Sequence, residues 1–505
     1  MKQIKLYNNH LYYKKNGKTW KVEYTEKVLE SLCHSGYDAS SITTLGGRLK
    51  VPLYSFQVTS VLHAMNRNWN MLLADDMGVG KTNSAIACMV ASASKKTLIV
   101  VPANVKYQWE RAINTVIKKP PHTYVCTGKT FDGAALLYLH HSPCVIINYQ
   151  ILNDWLDVFM EYKWDLMILD EAHKIKKSKS ICTRACKFLR EVTKSVICLS
   201  GTPLTDRTSD IWNVVHIVDT KVFPSEFAFQ QRYCNGVIDE RGRASVSANT
   251  MDLHQKLVDS GVMLRRTKAE VQKQLPKVTI DVVPLDVNTS TLSGLEAEVM
   301  TQYKAISKMQ GGAVGRATFQ VRTSMEHYLQ EAIRLKIPMI INWIEDFLEE
   351  SDEKLVVSVV HREKCGNILK KHFGARAVLI DGGVSSKHKD ELITEFINNP
   401  DLKLLIGNIL SVGTGTDGLQ KVCSNVAIVE LPWSPAELWQ LISRLDRNGQ
   451  KQPVNAYILA VYNSIDEVLA RVLDKKKNIL NEVLNGESSG VSDSLLHLLK
   501  GVNKI

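Results

Sequence analysis

At 505 residues and 45% apolar composition, the chain has length for roughly three domains with ordinary cores, and it reads as a globular protein. Its 63 Lys and Arg against 52 Asp and Glu leave a charge of +11, which favours a polyanionic partner without naming one. Ten scattered cysteines, with Cys182 and Cys186 the closest pair, lack the spacing of a zinc site and read as reduced structural thiols.

The N-terminus "MKQIKLYNNHLYYKKNGK" is basic but has no apolar stretch of the signal-peptide kind, and no later run approaches the ~20 apolar residues needed to span a bilayer. A soluble, unexported protein of the cytoplasm is expected, with no membrane partner. Residues 1–45 form a small β-rich element: Asn8-Asn9 and Asn16-Gly17 separate short aromatic runs as hairpin turns do, and Tyr7, Tyr12, Tyr13 and Trp20 read as its own small core.

From residue 71 to 200 five apolar runs recur, "MLLAD", "TLIVV", "CVIIN", "LMILD" and "SVICLS", spaced widely enough for helices between them. Continuous apolarity suits strands buried on both faces of a parallel sheet. A second set begins with "KLVVSVV" at 354 and ends with "VNAYILA" at 454. The fold class is therefore α/β, with two parallel-sheet lobes in tandem: lobe 1 over residues 46–285, a helical or flexible connector over 286–338, lobe 2 over 339–485 and a tail over 486–505.

"LLADDMGVGKT", residues 72–82, ends a strand and opens a helix, so the amides of residues 78–82 are placed where phosphate binds. Gly78 and Gly80 shape the turn, Lys81 can neutralise the outer phosphates of ATP, and the Thr82 hydroxyl can take a Mg²⁺ position. A full phosphate-binding loop would carry glycine six residues before the lysine, where this chain has Asp75. In "LMILDEAH", residues 166–173, a buried strand ends in two carboxylates; Asp170 can hold Mg²⁺ through water and Glu171 can orient or deprotonate the attacking water.

These two motifs, with "SGTPLTD" at 200–206, "VMLRRTKAEVQKQLPK" at 262–277 and "QLISRLDRNGQ" at 440–450, resemble the ordered motifs of the SNF2 family of helicase-like ATPases. Tandem RecA-like lobes are implied, and the usual loop of that family also lacks the first glycine. The resemblance implies that Gln57 reads adenine, that His173 couples the ATP site to Ser200, Gly201 and Thr202, and that Gly415 and Asp417 of "SVGTGTDGLQ" link it to a nucleic-acid track. Gln440, Arg444 and Arg447 fall at i, i+4 and i+7, one face of a helix. The resemblance gives Gln440 a nucleotide contact and makes Arg447, with Arg444 beside it, an arginine finger for ATP held between the lobes.

Track contacts to phosphate are expected at strand ends, from Pro102, Asn104, Asn148, Tyr149, His361, Arg362, Gly382, Ser385 and Lys387. The implied activity is that of a monomeric, Mg²⁺-dependent ATPase that translocates on duplex, forked or junction DNA with little sequence preference. "FAFQQRYCNG" and "RLKIPMIINWIEDFLEE" bring it nearest the fork-remodelling and annealing-helicase branch, in a compact form that suits a phage or bacterial source. Two other readings stand beside it: a DEAH-type RNA helicase and a nucleotide-gated DNA clamp with little turnover.

Overall fold

Strands that are apolar on both faces need a layer on each side, and parallel strands joined by helical crossovers supply it. The computed structural model describes residues 2–7, 10–15, 18–23, 37–38, 47–234, 247–271, 276–288, 290, 294–295, 297–298, 301, 313–380, 382–384, 386–408, 418–461, 464–487 and 495. The chain forms two units, one of Met1–Pro203, Asp210–Pro224 and Lys256–Val271, the other of Leu204–Ser209, Ser225–Gln255 and Gln272–Ile505.

The first unit opens with β1 (Lys2–Tyr7), β2 (His10–Lys15) and β3 (Lys18–Glu23), antiparallel neighbours, with the short β4 (Tyr37–Asp38) parallel to β1. Tyr7 pairs with His10 and Lys15 with Lys18, while the expected turn residues Asn8-Asn9 and Asn16-Gly17 lie outside the described residues. Val22 packs on the core of the larger sheet. The expected separate core of Tyr7, Tyr12, Tyr13 and Trp20 lies outside the described side chains.

The larger sheet follows helix α1 (Ser55–Asn66) and begins with β5 (Met71–Leu73), whose crossover carries helix α2 (Lys81–Ala91). Then come β6 (Thr97–Val101), helix α3 (Lys106–Val116), β7 (Thr123–Val125), β8 (Cys144–Asn148), β9 (Trp164–Asp170), β10 (Thr193–Leu199) and β11 (Met263–Leu264). They pair in the order β11-β5-β10-β9-β6-β8-β7, every neighbour parallel. Every residue of β5, β6 and β8 is buried, which is why these stretches read as unbroken apolar runs.

The second unit holds β12 (Val278–Pro284), the long helix α4 (Ala313–Glu350), β13 (Lys354–Val359), β14 (Ala377–Ile380), β15 (Leu404–Asn408), β16 (Cys423–Ile428), helix α5 (Pro435–Ile442), β17 (Val454–Ala460) and helix α6 (Ile465–Asn485). Its six strands, all parallel, run β12-β17-β16-β13-β15-β14. The boundary expected at residue 285 therefore moves: β12 is an edge strand of this sheet, and the second unit resumes at Gln272. An edge strand is covered unevenly, so "VTIDVV" alternates between half-buried and exposed residues, and it does not announce itself as a buried run. The expected connector is likewise part of the fold in its C-terminal portion, since Tyr328 and Ile333 of α4 are buried in the core of the second sheet.

Candidate active site

Because β5, β10 and β9 are parallel neighbours, their C-terminal ends bring together the 74–82 loop, Ser200–Thr202 and Asp170–His173, the arrangement in which open α/β sheets bind ligands. In the loop, Gly78 has φ +81° and Gly80 has φ +95°, a left-handed backbone that side-chain-bearing residues avoid. Gly80 caps α2 without any side-chain cap, so the first-turn amides have no side-chain acceptor there. A Cβ at Gly80 would lie 2.8 Å from Gln57 Nε2, and one at Gly201 would lie 2.5 Å from Met77 Cγ and 3.1 Å from Lys81 Nζ. At Gly201 the cradle has no room for a Cβ, and at Gly80 the left-handed backbone disfavours one.

The residue in place of the first loop glycine, Asp75, has a structural task. Parallel pairing of β11 with β5 sets Leu264 beside Leu73, so Arg265 and Arg266 arrive alongside the loop. Arg266 grips the buried Asp75 carboxylate twice, Nε to Oδ1 at 3.0 Å and Nη2 to Oδ2 at 2.5 Å, and also donates to the Phe56 carbonyl and Ser60 Oγ of α1. Arg265 donates to the Ala74 carbonyl at 2.7 Å and to Asp76 Oδ1 at 2.9 Å. A planar guanidinium with several fixed donors can fasten a loop and a helix at once, which a lysine cannot. The sequence carried a signal for this, two acids in "ADD" and two arginines in "LRR", but no periodicity links residues so far apart.

Lys81 Nζ donates to the Asp75 and Asp76 carbonyls at 2.8 and 3.0 Å. Burial lowers its pKa, against the pull of the Glu171, Asp75, Asp76 and Asp170 carboxylates. The Asp170 carboxyl is pushed up to about 6, first by burial and then by Glu171, while hydrogen bonds from Trp109 and the Glu171 amide and the charge of Lys81 act the other way. Glu171 itself sits at φ +49° and ψ +51°, a left-handed conformation that costs a non-glycine residue about 1–2 kcal/mol. That turn brings its N–H onto Asp170 Oδ1 at 2.9 Å. His173 Nδ1 lies 3.2 Å from Ser200 Oγ and 3.3 Å from Glu171 Oε2, and Ser200 Oγ accepts the Thr202 N–H at 3.2 Å.

The glycine-lined cradle, a lysine beside it and oxygen donors at Thr82 and Asp170 fit a magnesium-bound nucleoside triphosphate, since Mg²⁺ takes oxygen ligands and keeps much of its water. Gln57 is buried; its Oε1 accepts the Tyr54 N–H at 3.1 Å and its Nε2 donates to the Gly80 carbonyl at 3.4 Å, so it ties the start of α1 to the loop. Tyr54 and Phe56 stack at 5.4 Å between ring centres, an aromatic pair the sequence reading gave no role.

Of the expected track residues, Pro102, Asn148 and Tyr149 are buried and Asn104 is half-buried at the ends of β6 and β8. Asn148 donates to Gln150 Oε1 at 2.8 Å. In the second unit His361 is held on both ring nitrogens, Nδ1 by Glu430 Oε1 and Nε2 by Glu326 Oε1 at 3.1 Å, while Arg362 and Gly382 are exposed. Ser385, Gly415, Asp417 and the side chain of Lys387 lie outside the described residues. The expected helical face of Gln440, Arg444 and Arg447 is corrected: α5 ends at Ile442, so only Gln440 is helical. Beyond it the pattern becomes irregular, Arg444 N–H to the Leu441 carbonyl and Leu445 N–H to Ile442 three residues back, Asp446 N–H to Ile442 four back and Arg447 N–H to Leu445 two back, before Gly449 turns at φ +97°. Burial of Leu445 and of Gln450, which donates to the Cys423 and Leu445 carbonyls, fixes this turn in place of another helical one.

A family model described as an SNF2-related domain matches residues 13–335, and one described as a helicase conserved C-terminal domain matches residues 336–449. The SWI/SNF-related matrix-associated actin-dependent regulator of chromatin subfamily A-like protein 1 of Drosophila melanogaster is 28% identical over 461 residues, 88% of this chain and 58% of that protein. The human DNA annealing helicase and endonuclease ZRANB3 is 26% identical over 474 residues, 91% of this chain and 43% of that protein. The chain thus spans about half the length of the curated relatives it matches. Among solved structures, the Sulfolobus solfataricus SWI2/SNF2 ATPase core in complex with dsDNA matches at 21% identity with a TM-score of 0.41, over 90% of this chain and 97% of that one.

Proposed function

Because this chain belongs to the SNF2-related family, with a helicase C-terminal domain following the matched SNF2-related one, we propose that it is a DNA-dependent ATPase that turns ATP hydrolysis into movement along duplex or branched DNA. The observation that carries the catalytic half is the meeting of Lys81, Asp170, Glu171 and Ser200 at three adjoining strand ends. Thr82 and Asp170 would hold the metal, whose charge offsets that of the phosphates. The glycine-lined amides bind the phosphate chain and Gln57 lies against adenine. Lys81 exchanges its two carbonyl partners for phosphate oxygens, a trade that a desolvated ammonium favours. Glu171 accepts the proton of the attacking water, and His173 transmits its position to Ser200, Gly201 and Thr202.

The DNA half rests on kinship. Relatives over nearly the whole of this chain include a protein named as a DNA annealing helicase, which supports DNA remodelling in general; forks or junctions are the substrate proposed here. ATPase rates measured without nucleic acid and with linear duplex, forked DNA, single-stranded DNA and RNA test the reading. Duplex or forked DNA should stimulate most, and Glu171→Gln should bind nucleotide yet lose turnover. Greater stimulation by RNA would turn the assignment to an RNA helicase, and near-normal turnover in Glu171→Gln would remove Glu171 from the chemistry.

A further inference from the structure

Two aromatic side chains, Trp109 a few residues past the expected track contacts Pro102 and Asn104 and Tyr149 among those contacts, end instead on Asp170. Trp109, in α3, is 2% exposed and donates its indole Nε1–H to Asp170 Oδ2 at 2.7 Å. Tyr149, just past β8, is 6% exposed and donates its hydroxyl to the Asp170 carbonyl at 2.8 Å. With the Glu171 N–H on Oδ1, both carboxylate oxygens and the carbonyl each receive a donor from the protein.

A buried indole usually finds an acceptor, and any main-chain carbonyl would satisfy it. Trp155 and Trp164 of the same unit do use carbonyls, of Gly128 at 3.1 Å and Phe159 at 3.0 Å. Trp109 is the described tryptophan of the first unit that donates to a carboxylate, and that carboxylate ends the strand at the centre of the site. A hydrogen bond to an ionised oxygen is shorter and stronger than one to a neutral carbonyl, and it fixes the plane of the carboxylate. Each oxygen then keeps a second lone pair in a defined direction for a metal-bound water.

We infer that Trp109 and Tyr149 are positioning residues that set the orientation of Asp170 toward metal-bound nucleotide, and that neither side chain is a contact of the nucleic-acid track. The inference rests on the reading of Asp170 as the metal-holding carboxylate. It also locates the route from track to metal: α3 starts directly after the turn that carries Pro102 and Asn104, and Trp109 lies in its first turn, while Tyr149 follows Asn148. Outer partners of a metal-holding group typically change metal affinity or activity ~10–100-fold when removed.

The test uses the full-length chain and a fluorescent ADP analogue titrated with and without Mg²⁺, alongside duplex DNA binding by anisotropy and the melting temperature. Trp109→Phe should raise the Mg²⁺ concentration for half-maximal tightening of nucleotide by about 10–100-fold, with metal-free nucleotide affinity and duplex affinity kept. Tyr149→Phe should shift it in the same direction by less, since its hydroxyl holds the carbonyl and not the carboxylate. Asp170→Asn is the reference: if it leaves the Mg²⁺ dependence unchanged, the metal-holding reading fails. If Asp170→Asn moves that dependence but Trp109→Phe lowers only the melting temperature, the indole is core packing and the inference is overturned. A loss of duplex affinity in Tyr149→Phe at unchanged Mg²⁺ dependence would likewise overturn it.

Discussion

Replacing Arg266 with alanine should strip the nucleotide loop of its main restraint. Asp75 is 1% exposed and Arg266 side-chain exposure is 11%, so the substitution leaves a buried carboxylate with its bidentate partner gone. Removing one member of a buried pair typically costs about 3–5 kcal/mol, because the remaining charge has neither water nor a partner. At ~1.4 kcal/mol per decade, amide exchange in β5 and the start of α1 should quicken by about two to three and a half decades where it proceeds by local opening. Arg232 and Asp252 provide the control: the same two-point geometry, at 2.9 and 2.7 Å, but with side chains 62% and 44% exposed. Arg232→Ala should leave exchange in the Glu226–Tyr233 helix nearly unchanged, as solvent already screens that pair. Asp75→Asn combined with Arg266→Met should recover much of the loss, since neither side chain then carries a buried charge. If Arg266→Ala changes exchange less than about tenfold, or if the double variant is worse than the single one, burial is not what gives this pair its weight.

Gly201→Ala should overfill the cradle against Met77 and Lys81; overpacking of about 1–3 kcal/mol would raise the nucleotide dissociation constant roughly 5- to 150-fold, read by fluorescent ADP titration. The pKa of His361 is raised, chiefly by its hydrogen bond to Glu430 with Glu326 adding to it, so the folded second unit binds this proton more tightly than the unfolded chain. Its contribution should be full below the unfolded value of about 6.5 and be lost as pH rises through the higher folded value. Exchange in β13 should therefore quicken across that window, and His361→Gln should flatten the dependence; an unchanged profile in the variant would assign the effect to another group.

Much of the architecture was legible because parallel strands buried on both faces leave unbroken apolar runs, and β5, β6, β8 and β9 each stand out in that way. β12 and β11 were not. The first is half-covered and alternates, and the second is only two residues long, so neither produces a run. Site residues that lie within a few positions of one strand end, Lys81 and Thr82 or Asp170 and Glu171, could be named from local motifs. Partnerships made across the sheet could not: Arg266 reaches Asp75 over 191 residues of chain, and Trp109 reaches Asp170 over 61. Helical spacing misled at Gln440, Arg444 and Arg447, because the i, i+4, i+7 pattern is blind to the buried Leu445 and Gln450 that bend the chain after Ile442.

The claim that this chain is a motor on duplex DNA is tested most directly by triplex displacement on a linear duplex, which registers movement along DNA without strand separation. The account predicts that ATP drives displacement of the third strand, that the reaction falls steeply with added salt because the contacts are to phosphate, and that Lys81→Ala abolishes it. Brisk DNA-stimulated hydrolysis with no displacement would contradict it and leave a nucleotide-gated clamp.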